Sequence, residues 1–366
     1  MSGQHRADAP SRGELQHLKR VSRIKHIILQ KYLPPWTRIL GSRYRQLAYF
    51  DCFAGPGEYE LEGRAVEGSP VIAVRSGIEF LKDRSGQNLI MYLIEDDPSQ
   101  VAQLEAILQN LQPYPENLSV NVRCGDSQSY ITKLLENLGR VGPSFFFIDP
   151  YGHPLPVPVI NGILRRERAE TLINLMWFRI NMDLYNPLMQ GHLDALFGDD
   201  NWRRQPFIGM HGVERESAFL EYFRSRLGCK FVLEFKIRYD VEDSTGGDRT
   251  KYYLLHASNH MKAVLLMKEA MWPLGDEEGT FDYSGTSQGT LLSSTPTAQE
   301  LRSILLSEFK GKELSFDELR EQTYRLPFVE KHYREVLKPL EGKSVTIRRI
   351  SSKKTGISGQ DRIRFI

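Results

Sequence analysis

The chain has 366 residues and a formal net charge of +2, so its overall charge favours neither a polyanionic nor a polycationic partner. Its three cysteines, Cys52, Cys124 and Cys229, are spaced too widely for a disulfide framework or a metal site of paired cysteines, which predicts a reducing, cytoplasmic location. We expect neither secretion nor membrane insertion, because the sequence shows no apolar leader and no run near the roughly 18 apolar residues of a membrane span.

Composition changes along the chain predict four segments. Residues 1–14 are polar and are predicted to be disordered, and residues 15–274 carry the patterns of an α/β domain. Residues 275–296 are rich in Gly, Ser and Thr, which predicts a linker, and residues 297–366 form a separate small domain. That last segment holds 15 Lys and Arg against 10 Asp and Glu, so the basic charge is concentrated there.

In the α/β domain, an apolar helical pattern begins at Leu15 and is predicted to end before Pro34 and Pro35. A strand–loop–helix pattern then repeats, and Ser69-Pro70 reads as a helix N-cap followed by proline at the first position. The predicted strands are 47–53, 89–94, 118–123, 144–148 and 171–178, and the predicted helices between them are 69–81, 98–111 and 127–138. This alternation predicts a doubly wound, Rossmann-like parallel sheet.

Two further strands, 231–241 and 250–257, flank Gly246-Gly247 after a helical region and are predicted to add an antiparallel edge to the sheet. A helix over 260–271 completes this domain.

The C-terminal segment is predicted to be a winged helix, because a helix, a strand, two helices and a two-stranded hairpin follow one another. Its third helix and hairpin carry the basic residues Lys331, Arg334, Lys338, Arg348, Arg349, Lys353, Lys354, Arg362 and Arg364. Such a surface can neutralise phosphates, but a solvated face or a protein-binding face has the same composition. Nucleic acid and protein therefore both stay open as its partner.

Four successive predicted strands each have an acidic residue at or just beyond their carboxyl end, Asp51, Glu95, Asp126 and Asp149. Ligands of parallel α/β sheets bind outside the carboxyl ends of the strands, so these side chains are expected at one edge. A strand-end Asp is also a common helix N-cap, which is the structural alternative for each of them.

The chemistry of this edge suits S-adenosylmethionine. Glycines in the turn 54-AGPG-57 let the backbone approach a ligand, Glu95 can accept from ribose hydroxyls, and Asp126 from an adenine amine. Asp51 can reach the cofactor's ammonium. The predicted cofactor-binding residues are Asp51, Phe53, Ala54, Gly55, Gly57, Glu95, Asp126 and Ser127, with no metal ligands expected.

The same turn argues against two other nucleotide sites. It lacks the Lys-Ser/Thr pair of a phosphate-binding loop, which speaks against nucleoside triphosphate hydrolysis. Gly57 is followed by Glu58, where a dinucleotide fingerprint needs small residues and where a carboxylate would repel a pyrophosphate.

Catalysis is predicted at Asp149-Pro150-Tyr151. In enzymes that methylate exocyclic amines, a turn of this kind accepts hydrogen bonds from the amine and stacks an aromatic ring on the base. The alternative is a strand-terminating turn that only shapes the pocket. His153 is a possible base, and Trp177, Arg179 and Asn181 are possible pocket residues, with a core position favoured for Trp177.

Five segments resemble the three-Cys-motif partner protein family (TcmP) over roughly residues 20–272: 25-KHIILQKYL-33, 51-DCFAGPG-57, 68-GSPVIA-73, 147-FIDPYG-152 and 251-KYYLLHASNHMKAVLLMKEAM-271. The resemblance implies a methyltransferase-like fold and a protein partner with a three-cysteine motif, similar to radical S-adenosylmethionine proteins. It implies no defined substrate. Family members usually have Phe where this chain has Tyr151, and neither residue completes the Asp-Pro-Pro-Tyr turn of amino-methyltransferases.

The resulting expectation is a methyltransferase that acts on an amine, with nucleic acid as the preferred substrate class. A non-catalytic partner of a three-Cys-motif protein is the first alternative, and a nucleic-acid-binding winged-helix module is the second.

Overall fold

The computed structural model of the protein describes residues 16–137, 142–239, 249–274, 282–283, 298–350 and 356–366. The predicted N-terminal disorder at 1–14 lies outside the described residues, as does the predicted linker except for residues 282–283. Within these ranges, no helix combines the length and apolar character needed to cross a bilayer.

The strands are β1 (Gln46–Asp51), β2 (Glu58–Leu61), β3 (Arg64–Glu67), β4 (Asn88–Glu95), β5 (Leu118–Cys124), β6 (Ser144–Ile148), β7 (Ala169–Leu175), β8 (Phe231–Arg238), β9 (Thr250–Ser258), β10 (Asp282–Tyr283), β11 (Glu313–Ser315), β12 (Val345–Arg348) and β13 (Arg362–Phe365). The α-helices are α1 (Arg20–Gly41), α2 (Ser69–Leu81), α3 (Pro98–Gln109), α4 (Ser127–Asn137), α5 (Val157–Leu164), α6 (Trp177–Asp183), α7 (Gln190–Phe197), α8 (Gly212–Ser225), α9 (Met261–Met271), α10 (Ala298–Glu308), α11 (Phe316–Gln322) and α12 (Glu330–Leu340).

A mostly parallel sheet lies at the centre, with the described strands in the order β10-β8-β9-β7-β6-β1-β4-β5. Among them β9 runs antiparallel to both of its neighbours, β7 and β8. The predicted antiparallel pair is therefore present: β8 and β9 extend the sheet beyond β7, and β9 lies between β7 and β8. All nine residues of β9 are buried, which suits a strand covered on both faces and paired on both sides.

The two faces of the sheet carry separate apolar layers. All five residues of β6 are buried, and Phe145 and Phe147 face one layer while Phe146 faces the other. Phe146 stacks on Phe50 with ring centroids 4.2 Å apart. The first layer includes residues of α1, α2 and α9, and the second includes residues of α5 to α8, so helices cover both faces as in a doubly wound fold.

Helix α1 continues past Pro34 and Pro35 to Gly41, so the predicted end of this helix was wrong. The prolines cannot donate to the carbonyls of Gln30 and Lys31, but both of those residues are exposed, so water can satisfy them. Beyond the prolines Trp36 is only 2% exposed, and its burial stabilises the extra turns.

The start of α2 also differs from the prediction. Gly68 takes the cap position and Ser69 is the first helical residue, so Ser69 is not the N-cap. Its hydroxyl instead bonds to the carboxylate of Asp51. Between the glycine turn and α2 lies the β2–β3 hairpin, which the sequence pattern did not predict.

The fifth predicted strand, 171–178, is also misplaced at both ends. In the structure β7 begins at Ala169 and ends at Leu175, and α6 begins at Trp177. A continuous apolar run does not distinguish a buried strand from the buried first turn of a helix.

The C-terminal region forms its own core around Phe316, Leu337 and Ile363, with the three-stranded antiparallel sheet β11-β13-β12. It contacts the α/β region through α9 and β8. The Lys268 ammonium donates to the carbonyl of Tyr324 at 2.9 Å, and the rings of Trp272 and His332 lie 4.5 Å apart.

Candidate functional site

Three of the four acidic strand ends act electrostatically on one phenol, that of Tyr59 on β2. Burial, followed by the negative charges of Asp149, Asp51 and Glu95, raises the pKa of Tyr59. The carboxyl ends of β1, β4 and β6 thus place their acidic residues within electrostatic reach of a single point. The sequence predicted these carboxylates at one edge but did not predict Tyr59.

Asp51 is fully buried at the end of β1. The hydroxyl of Tyr49 donates to its Oδ2 at 3.1 Å, while Oδ1 accepts no hydrogen bond from the residues that the structure describes. Burial raises the pKa of Asp51 to about 7, with Asp149 adding to the shift and the bond from Ser69 opposing it. A buried carboxylate oxygen without a donor fits a cationic ligand group at this position.

The glycine turn is held directly against the end of β4. Gly55 and Gly57 have φ angles of +64° and +90°, which side chains rarely adopt. A Cβ on Gly55 would collide with the Tyr59 hydroxyl, and a Cβ on Gly57 would lie 2.9 Å from a methyl of Leu104. The backbone N–H of Gly55 donates to Glu95 Oε2 at 2.8 Å.

Glu95 is 8% exposed, and its other oxygen accepts from the backbone N–H groups of Asp96 and Asp97 at 3.0 and 3.1 Å. Burial raises the pKa of Glu95, and the bonds from Asp97 and Gly55 oppose the shift. These three bonds use most of the roughly four lone-pair sites of a carboxylate. Room is left for about one further donor, such as a ribose hydroxyl.

Asp126 and Ser127 make structural contacts, and Asp126 caps the following helix, which was the alternative to a ligand-binding role. Asp126 is exposed, and its Oδ2 accepts from the N–H of Ser129 at 2.7 Å in the first turn of α4. The Ser127 hydroxyl donates to the carbonyl of Cys52. Both residues lie at the carboxyl edge, on the side of β5.

The other predicted cofactor-binding residues belong to the turn itself. Ala54 is buried, and its N–H donates to the carbonyl of Ile94 at 2.9 Å. Phe53 is half-buried and packs against the second apolar layer. These contacts fix the turn between β1 and β4.

Asp149 joins the cluster, but in the company of two residues that the sequence did not predict. The Lys25 ammonium of α1 lies 2.7 Å from its Oδ1 and 2.6 Å from its Oδ2, and the amide of Asn174 donates to Oδ1 at 2.7 Å. Pro150 is buried, whereas the Tyr151 side chain is fully exposed. The structure thus brings Asp149 into the cluster and leaves the Tyr151 ring outside it.

Lys25 was detectable in the pattern of the first helix. Positions 25, 28, 32 and 36 recur at helical spacing, and Ile28, Tyr32 and Trp36 are buried. A lysine on the same stripe as three core residues needs a buried partner. That partner is Asp149, so the segment 25-KHIILQKYL-33 contributes directly to the site.

Helix α1 is fixed over the sheet by a second buried carboxylate, Glu170 on β7. It accepts from the Tyr32 hydroxyl at 2.7 Å and the Trp36 indole at 2.5 Å, and the His256 ring lies 2.7 Å away. Glu170 therefore ties α1 to β7 and β9 independently of Lys25.

The remaining predicted pocket residues have structural contacts. The His153 Nε2 lies 2.9 Å from Asp183, and burial lowers the pKa of His153. Trp177 is buried in the core, as favoured from the sequence, with its ring 5.2 Å from that of Phe219. Arg179 is exposed, and Asn181 accepts from the guanidinium of Arg215 at 3.2 Å.

Many basic side chains of the C-terminal region are paired within it. Arg334, Arg349 and Arg362 form ion pairs with Glu330, Glu341 and Glu318 at 2.5, 2.6 and 3.1 Å. Four other basic residues of the predicted surface, Lys331, Lys338, Arg348 and Arg364, are exposed, and Lys353 and Lys354 lie outside the described residues.

No protein-family model matches the chain, and no curated protein matches its sequence. Solved structures similar to it include a Legionella pneumophila protein of family DUF519, at 15% identity over 68% of this chain and 86% of that chain, with a TM-score of 0.39. A methyltransferase dependent on S-adenosylmethionine from Agrobacterium tumefaciens matches at 11% identity over 65% of this chain and 62% of its own, with a TM-score of 0.33. Human methyltransferase-like protein 13, in complex with S-adenosylhomocysteine, matches at 13% identity over 68% of this chain and 91% of its own, with a TM-score of 0.31. At these identities and TM-scores the likenesses do not assign a function.

Proposed function

We propose that the protein is an S-adenosylmethionine-dependent methyltransferase that acts on an amine. The observation that carries this proposal is the cluster of Asp51, Glu95 and Asp149 around the glycine turn. S-adenosylmethionine carries a sulfonium and an ammonium, so a water-poor cluster of carboxylates suits it better than it suits a phosphate-bearing cofactor.

The strand order supports the same proposal. The five strands β5-β4-β1-β6-β7 follow the order of a doubly wound sheet, and β1 and β6 meet at the point where the direction of chain progression reverses. An antiparallel strand inserted beside the fifth strand is the arrangement of Rossmann-like methyltransferases, and β9 occupies that place.

Each carboxylate has a distinct role in the proposal. Asp51, whose Oδ1 has no donor among the described residues, would accept from the cofactor's ammonium, and Glu95 would accept from a ribose hydroxyl. The bound cofactor supplies an electrophilic methyl group. Asp149 would orient the acceptor amine and take up its proton, and positioning of this kind is the main requirement of methyl transfer to a neutral amine.

Nucleic acid is the proposed substrate class. The exposed ring of Tyr151, two residues beyond Asp149, is available to stack on a base. The order α10, β11, α11, α12, β12, β13 is that of a winged helix, which we propose as a second contact through its exposed Arg348 and Arg364.

Calorimetric titration with S-adenosylmethionine and S-adenosylhomocysteine tests the proposal. Glu95→Gln should weaken binding by about 1–3 kcal/mol, roughly ten- to a hundredfold, because it removes a charged acceptor. Asp97→Asn is the matched control, since Asp97 is a neighbouring, half-buried carboxylate that caps α3. Absence of binding by folded wild-type protein, or equal losses in both variants, would contradict the proposal.

A second candidate function is a non-catalytic partner of a three-Cys-motif protein. The Lys25–Asp149 pair favours it, because the carboxylate assigned to the acceptor amine already holds an ammonium. Cofactor binding without methyl transfer to any nucleic acid, together with stable co-purification with the three-Cys-motif protein, would support this candidate.

A further inference from the structure

The Lys25–Asp149 pair lies in a sheltered position. Its ammonium is within 2.7 Å of both carboxylate oxygens, and the two side chains are 14% and 9% exposed. Solvent and salt screen such a pair weakly, so the charge of Lys25 acts strongly on whatever binds beside Asp149.

The groups around the pair include two further carboxylates, a neutral histidine and an arginine. Asp51 on β1 and Glu95 on β4 form no ion pair in the part of the chain that the structure describes, and both raise the pKa of Tyr59 on β2. On α1, burial lowers the pKa of His26 to about 3, so its ring is neutral near pH 7. Arg23, one turn from His26, acts on that ring as a further positive charge.

A purely structural role does not explain the pair. Helix α1 is already held by Glu170, through Tyr32 and Trp36, and the Tyr252 hydroxyl donates to the carbonyl of Val21 at 2.5 Å. A buried ion pair is in itself a weak stabiliser, because desolvation offsets most of its Coulomb energy.

We propose that Lys25 determines which amines the site accepts. By pairing with Asp149, it leaves that carboxylate able to accept an N–H from a neutral amine, such as the exocyclic amine of a nucleobase, but not to serve as the counter-ion of an alkylammonium. A neutral amine can donate an N–H to Asp149 while keeping its lone pair for the transferred methyl. An alkylammonium would bring a second positive charge next to Lys25 and must first lose a proton. The inference rests on the proposed function and narrows its substrate class.

The charge of the site can be measured without a substrate. S-adenosylmethionine carries one more positive charge than S-adenosylhomocysteine, so the ratio of their affinities reports the local charge. We expect Lys25→Met to raise the preference for S-adenosylmethionine about tenfold at pH 8. Asp149→Asn should lower it by a similar factor, and the double variant should return it close to the wild-type value. Lys25→Arg, which keeps the charge, should leave it unchanged.

A second measurement addresses the acceptor. With S-adenosylhomocysteine bound, saturation-transfer NMR with n-butylammonium should give a signal for Lys25→Met and none for wild type or Lys25→Arg. Thermal melts of each variant establish that it is folded, and the isosteric Asp149→Asn carries the charge test if Lys25→Met does not fold.

The outcomes distinguish a failure of the inference about Lys25 from a failure of the proposed function. If both ligands bind but their affinity ratio is the same in all variants, Lys25 does not set the charge, and this inference is overturned while the cofactor site stands. If n-butylammonium binds wild type as well as Lys25→Met, the selectivity is overturned. If neither ligand binds folded wild type, the proposed function fails, and this inference fails with it.

Discussion

The charged residues of the two regions of the molecule are arranged in opposite ways. At the carboxyl edge of the large sheet, Asp51 and Glu95 are buried without an ion pair among the described residues. In the C-terminal region, Arg334, Arg349 and Arg362 are exposed or half-buried and are paired with glutamates.

This difference separates a site from a solvated surface. Exposed ion pairs contribute little free energy and need no function to explain them. Buried carboxylates without cations are costly to the fold, and that cost is the usual sign of a ligand site. The sequence shows only that acidic and basic residues are present, whereas the structure shows which of them are left without partners.

The largest expected effect on stability comes from Glu170, a buried carboxylate whose hydrogen-bond donors are side chains of the protein itself. Glu170→Ala would leave Tyr32, Trp36 and His256 without their buried acceptor. We expect a loss of about 3–5 kcal/mol in the free energy of unfolding, measured by urea denaturation. Glu167→Ala, at an exposed site just before β7, should change it by no more than about 0.5 kcal/mol. Similar values for both variants would remove the contrast between buried and exposed carboxylates.

Asp51 should behave in the opposite way, because its Oδ1 has no hydrogen-bond donor among the described residues. Its pKa is raised to about 7 in the fold, so the unfolded chain loses its proton first, and this group destabilises the protein as pH rises from about 4 through 7. Asp51→Asn should therefore raise the free energy of unfolding by about 2 kcal/mol at pH 8 and by little at pH 4. Parallel stability–pH curves for wild type and variant would show that Asp51 is not strained in this way.

Variants of Asp126 test whether this residue only caps α4 or also contacts the cofactor. As a cap of α4, Asp126→Ala should lower stability by about 1 kcal/mol, and Asp126→Ser, which keeps a capping oxygen, should restore it. Affinity for S-adenosylmethionine should be the same in both variants if capping is its role. A loss of affinity in both would return Asp126 to the adenine contact predicted from the sequence.

The smallest effect is expected on DNA binding by the C-terminal region. Arg348→Ala with Arg364→Ala should lower the slope of log K against log salt for a DNA duplex by about 2, about one for each lost phosphate contact. The paired residues Arg349 and Arg362, replaced in the same way, should change the slope less. Equal changes, or no binding by wild type, would count against nucleic acid as the partner of this region.

The sequence predicted the large sheet well because its strands are short apolar runs followed by acidic or glycine turns, as at Asp51 and Glu95. Predictions from local sequence patterns were wrong where tertiary contacts determine how a helix begins or ends. Pro34 and Pro35 lie inside α1 because Trp36 is buried beyond them, and Ser69 turns to Asp51 rather than capping its helix.

The candidate site was predicted only in part for the same reason. Strand ends place Asp51, Glu95 and Asp149 together, and the topology of the fold is enough to foresee this. Lys25 and Tyr59 come from α1 and from an unpredicted hairpin, and no local pattern indicates that they meet Asp149. The exposure of Tyr151 depends on the conformation of one loop, which propensities do not determine.

The most direct test of the acidic cofactor site is the number of protons released when S-adenosylmethionine binds at pH 7. With a pKa of about 7, Asp51 is close to half protonated, and a bound cation should ionise it. Calorimetry in two buffers of different ionisation enthalpy should show the release of about half a proton, lost in Asp51→Asn. Binding without proton release, or no binding at all, would contradict the assignment of this cluster to a cationic cofactor.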